Sequence, residues 1–153
     1  MLEFCKRGYV MLEGVVTDEV NRQVREYLAD HPYEREDGGA FEDQGLLQEP
    51  WFVDGVLLNR QAAGAVRLLL GERPALPTWM YNHQARSPRS AQTWHRDGCS
   101  RHGHELNHLQ VFYYPQDTPL ELGPTEVLPG LHFLFNLNER MHTSILRNSF
   151  LYI

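Results

Sequence analysis

The sequence predicts an α+β fold in which helices from the first half of the chain buttress an antiparallel β-sandwich or barrel. Three observations predict it. Apolar residues recur at helical spacing in two stretches before residue 71, aromatic and β-branched residues gather in short runs beyond Pro77, and Pro, Ser, Gly or His connections separate those runs. Helices followed by strands, without alternation, is the order of an α+β domain. The chain has 153 residues, of which 42% are hydrophobic and 22% charged, so it carries enough apolar side chain for one globular domain over residues 1–153.

Taken in order, RGYVMLEGVV at residues 7–16 is rich in β-formers and ends near Gly14, which predicts a short strand. A helix follows. Thr17 is a suitable N-cap, Asp18 and Glu19 occupy the first turn, and Val20, Val24, Tyr27 and Leu28 share one face until Pro32 stops the pattern. Residues 33–49 are acidic, contain glycines and keep no period, so they are expected to form a loop, or a lid over a site. A second helix is predicted over about 60–70, capped by Asn59 and closed by Gly71, with Ala62, Val66, Leu69 and Leu70 on its apolar face. TWMYNH (78–83), AQTWHRD (91–97) and HLQVFYY (108–114) are strand candidates, and residues 125–128 add a shorter one between two Pro/Gly turns. No internal repeat or low-complexity tract is present.

The net charge of −6 argues against a nucleic-acid partner and favours small molecules. The longest apolar run, VRLLLG, is far too short to span a membrane, and MLEFCKRGYV lacks the apolar core of a signal peptide. Cys5 and Cys99 are the only cysteines, too few for a disulfide framework or a Cys-rich zinc site, which suits a reducing, cytoplasmic setting.

The segment TWHRDG, residues 93–98, carries the most chemistry. On a strand, His95 and Asp97 project from the same face with Cα atoms roughly 6.5 Å apart, close enough to grip one ion. An imidazole and a carboxylate joined by a second histidine form the facial triad that holds non-haem Fe(II) and leaves positions open for O2 and a chelating 2-oxo acid. An H-x-D pair alone arises readily by chance, and a polar turn is its bland reading. Gly98, directly after the pair, ends the strand where a site mouth would open.

Three stretches together resemble a known family. FCKRGYVMLEGVVTDEVNRQVREYL (4–28), TWHRDG (93–98) and VFYYPQDTPLELGPTEVLPGLH (111–132) are similar, in this order, to segments of the phytanoyl-CoA dioxygenase family of Fe(II)- and 2-oxoglutarate-dependent oxygenases. The resemblance implies a double-stranded β-helix, or jelly roll, here incomplete, with buttressing helices at its N-terminal side. It implies His95 and Asp97 as the first two iron ligands and hydroxylation of a small-molecule substrate with O2 and 2-oxoglutarate. The family's second histidine and a following arginine, which pairs with the distal carboxylate of 2-oxoglutarate, lie several strands after the Pro-Gly-x-His segment. Only 21 residues follow His132, and in them His142 and Arg147 have the right types in the right order. His142 follows Asp97 by 45 residues, which leaves little chain for the intervening strands, so a chain shortened at its C-terminal side is expected.

Other residues line up as candidates or as their plainer alternatives. Trp79, Tyr81 and His83 share a face, as do His108, Gln110, Phe112 and Tyr114; these faces line a pocket or simply pack a core. Gln110, polar within an apolar run, and Asn82 are candidates for contact with the co-substrate. The histidines of RHGHELNH suggest a zinc hydrolase at most weakly, because a Gly-containing polar connection reads as a solvated loop. Arg86, Arg89, Arg96 and Arg101 surround the H-x-D pair, either as an electropositive mouth for anions or as solvated surface. The alternative to an oxygenase is a truncated, non-catalytic relative acting as a binding or interaction module and self-associating through exposed sheet edges.

Overall fold

The computed structural model describes residues 2–32, 40–42, 44–74, 80–83, 106, 108–130 and 132. It opens not with a strand but with a short helix, α1 (Leu2–Arg7). Glu3 at its start and Lys6 and Arg7 at its end complement the helix dipole, and Arg7 Nε reaches Glu3 Oε1 at 2.7 Å one turn apart. Gly8, at φ +83°, ends it in the left-handed region and donates its N–H to the Phe4 carbonyl. The expected strand at 7–16 is replaced by irregular chain on which Val10, Met11 and Leu12 are exposed. β-forming side chains do not make a strand without a neighbouring ladder, and none lies beside them among the described residues.

Helix α2 (Asp18–Asp30) follows the sequence reading closely. The Thr17 hydroxyl accepts the Val20 N–H, Arg22 bridges Glu19 and Glu26 along the solvent face, and the His31 N–H closes on the Tyr27 carbonyl just ahead of Pro32. Arg22 holds the Glu19 carboxyl below its ordinary range through their hydrogen bond.

The segment read as a loop contains structure after all. β1 (Ala40–Glu42) pairs antiparallel with β2 (Tyr81–His83), with Phe41 opposite Asn82. After a 3-10 turn (Leu46–Gln48), helix α3 (Pro50–Phe52) begins with Pro50, whose missing N–H costs nothing at a helix start, and widens into a π turn (Val53–Leu57) closed by the Leu58 N–H on the Val53 carbonyl. Gly55 in this turn lies so close to α2 that a Cβ there would stand 2.8 Å from Val20 Cγ2.

Helix α4 (Arg60–Leu70) is capped as predicted, Asn59 Oδ1 accepting the Gln61 and Ala62 N–H groups while its Nδ2 donates to the Val15 carbonyl. Gly71 ends it at φ +95°. The core sits where α2, the 3-10 turn and the α3–π segment converge. Val24, Leu46, Phe52 and Val56 are buried there, with Val20, Tyr27, Trp51, Met80 and Tyr113 packed around them.

Residues 108–114 and 125–128, read as strands, run without a ladder among the described residues. The expected common face of Gln110, Phe112 and Tyr114 is not formed. Phe112 and Tyr114 are exposed, while Tyr113 turns inward against Phe52 with ring centroids 6.3 Å apart. Away from a ladder nothing enforces the period of two, and a hydrogen bond from the Tyr113 hydroxyl to Asn21 Oδ1 at 2.6 Å sets the orientation instead. The strand candidate at 91–97 lies outside the described residues.

Candidate functional site

Of the residues singled out from sequence, Asn82 has the most informative position. Burial alternates along β2 and the residue before it: Met80 packs against the core, Tyr81 is exposed, and Asn82 is buried again at 9% exposure. Residues two apart on an extended chain share a face, so Asn82 projects on the core side of the strand. Its Nδ2 has no hydrogen-bond partner among the described residues. A buried amide donor left unsatisfied costs about 1–3 kcal/mol, so the position is unfavourable unless an acceptor comes from beyond the described residues.

Gln110 and His108 are both half-buried, on the irregular chain leading to Tyr113. His132, which closes the Pro-Gly-x-His segment, turns to the N-terminal helix: its Nε2 lies 3.0 Å from the Cys5 carbonyl oxygen. The same turn donates the Gly130 N–H to the Arg7 carbonyl, and a Cβ on Gly8 would fall 2.5 Å from His132 Nδ1. Glycine is therefore required at position 8 both by its φ and by this close approach.

These contacts join the two outer stretches on which the family resemblance rests. Arg25 of α2 donates to the Pro115 carbonyl at 2.6 Å, Asn21 receives the Tyr113 hydroxyl, and α1 meets residues 130 and 132. Burial pushes the Tyr113 hydroxyl up to about 12 despite the opposing charge of Arg25. Sequence reasoning missed both Tyr113 and the His132 contact. The signals available were a tyrosine doublet inside an apolar run and a glycine directly after a helical charge pattern, and neither names its partner.

His95, Asp97, His142 and Arg147 lie outside the described residues, as do Arg86, Arg89, Arg96, Arg101, His102 and His104. Among the described residues no three His, Cys, Asp or Glu side chains gather as a metal-binding group, and no helix is long and apolar enough to cross a membrane. The Asn82 amide nitrogen can donate to any oxygen acceptor, a carbonyl or carboxylate among them. Comparison with known proteins finds no matching family model, no similar curated protein and no similar solved structure.

Proposed function

We propose that the chain belongs to a non-haem Fe(II)- and 2-oxoglutarate-dependent dioxygenase that hydroxylates a small-molecule substrate. The observation that carries this reading is the ordered set of three stretches resembling the phytanoyl-CoA dioxygenase family, with the H-x-D pair His95 and Asp97 in the middle one. The unsatisfied donor of Asn82, 13 residues before His95, supports it from the described structure.

In this reading His95 and Asp97 hold the metal, His142 is the candidate third ligand, and Arg147, Gln110 and Asn82 are candidate contacts to the co-substrate. When bound, Fe(II) would activate O2, the oxidant, with 2-oxoglutarate as the two-electron co-substrate: one oxygen atom would go to succinate as CO2 is lost and the other to the substrate C–H bond. The chain's own task is placement. Asn82 Nδ2 orients an acceptor oxygen, the apolar surroundings of Met80 keep water from competing for that bond, and a planar guanidinium such as that of Arg147 suits a distal carboxylate. The exposed free thiol of Cys5 suits a reducing compartment, and we place the protein in the cytoplasm on that ground.

The test is succinate formation from 2-oxoglutarate with Fe(II) and ascorbate, in the native sequence and in Asp97→Ala. Turnover lost in the variant is the expected result. Equal turnover in both would remove Asp97 from the metal, and none in either would favour a non-catalytic binding module.

A further inference from the structure

A groove lies where the π turn meets α4 and the loop behind it. Leu57 and Leu58 from the turn, with Ala63 and Val66 from the helix, form its apolar floor, and its volume is about 200 Å3. Arg67, Glu72 and Arg73 stand around it. We propose that this groove binds a small carboxylate with an apolar body, the alkyl or aryl part on the leucine floor and the carboxylate held between the two arginines.

Three observations carry the proposal. The first is the shape of the floor: the π turn closes over five residues rather than four, and Leu58 is left 48% exposed directly beside the helix cap. The second is charge. Arg7 and Arg22 are both paired with carboxylates, whereas the side chains of Arg67 and Arg73 make no hydrogen bond or ion pair with a described residue. In a chain of net charge −6, two cations without a side-chain partner among the described residues, against one carboxylate, give this rim a local positive excess that attracts anions. The third is size. At roughly 30 Å3 for each water-sized group, the groove holds about seven heavy atoms, the apolar part of a six- to eight-carbon acid. Apolar walls with a few charged groups that fix orientation are the ordinary make-up of a small-molecule site, and a guanidinium meets a carboxylate through two parallel hydrogen bonds.

Hexanoate and hexan-1-ol, titrated into the whole chain with chelator present and followed by amide chemical shifts, test this directly. Chelation keeps the carboxylate from being captured by iron at the H-x-D pair, so the outcome is independent of the function proposed above. Saturable shifts confined to residues 57–74 are expected with hexanoate, with the alcohol at least tenfold weaker. The paired substitution Arg67→Gln and Arg73→Gln should abolish that preference without altering the fold, since both side chains are exposed. Equal binding of acid and alcohol, hexanoate binding unchanged in the paired variant, shifts centred elsewhere, or no saturable response would each overturn the proposal.

Discussion

Asn82 sits on the core side of a strand with a donor that nothing in the described structure accepts, next to Met80, which packs normally. Replacing it with leucine removes the desolvation cost and adds apolar burial, so Asn82→Leu should raise the unfolding free energy of the ligand-free protein by about 1–2 kcal/mol. On the proposed function, 2-oxoglutarate with Fe(II) should raise the melting temperature of the native chain, and the same substitution should abolish that rise. A variant less stable than the native protein would mean that the amide is satisfied from within. Tyr113 makes the opposite case, a polar group whose burial is answered by Asn21. Its folded-state value, near 12, lies above the ordinary tyrosine value of about 10. The unfolded chain therefore releases the proton first. The stability associated with Tyr113 is complete below about pH 10 and declines as pH rises toward 12, by about 1 kcal/mol once partial solvent exposure is allowed for. Urea titrations at about pH 9 and pH 11 should show this decline in the native chain and not in Tyr113→Phe.

At the scale of elements, the helices hold one another through close approach. Gly55 admits the π turn against Val20, and a methyl group at Gly55 meets a branched side chain that has no flexible end to move aside. Gly55→Ala should cost about 1–3 kcal/mol by overpacking, despite the better helix propensity of alanine, and Val20→Ala in the same chain should recover part of that loss. A double-mutant cycle measured by chemical denaturation checks the coupling. Helices α2 and α4 were legible in the sequence because their boundaries are local: Thr17, Pro32, Asn59 and Gly71 act on backbone groups within one turn of themselves. The strand at 7–16 was misread for the complementary reason. β propensity reports fitness for a ladder, and whether a ladder exists is decided by distant chain. Likewise β1, three residues inside an acidic stretch, exists only through its pairing with residues 81–83 and has no signal of its own.

At the scale of the molecule, candidate residues could be named from sequence while their placement could not. The H-x-D pair, Asn82 and Gln110 could be named from residue type and spacing; the pair lies outside the described residues, and Asn82 is buried with an amide nitrogen that no described residue accepts. That α1 and α2 would meet residues 113–132 was not readable, because those contacts join groups about ninety or more residues apart with no periodicity to announce them. The union can be weighed separately from the core. His132→Ala should speed amide hydrogen exchange at Gly8 and Gly130 while leaving Val24 and Val56 as slow as before, because local opening draws on fewer contacts than global unfolding.

The bond between Cys5 and His132 closes a loop of 127 residues. During synthesis at about 5–20 residues per second, the first helix emerges roughly 6–25 seconds before the imidazole that will hold it has been made. A helical turn forms in about a microsecond, so α1 spends that interval forming and melting many times over. Helix α1 is thus fastened long after it is made, and a chaperone or protease reading nascent chains would meet Leu2, Met11 and the Cys5 thiol well before the ring that secures them.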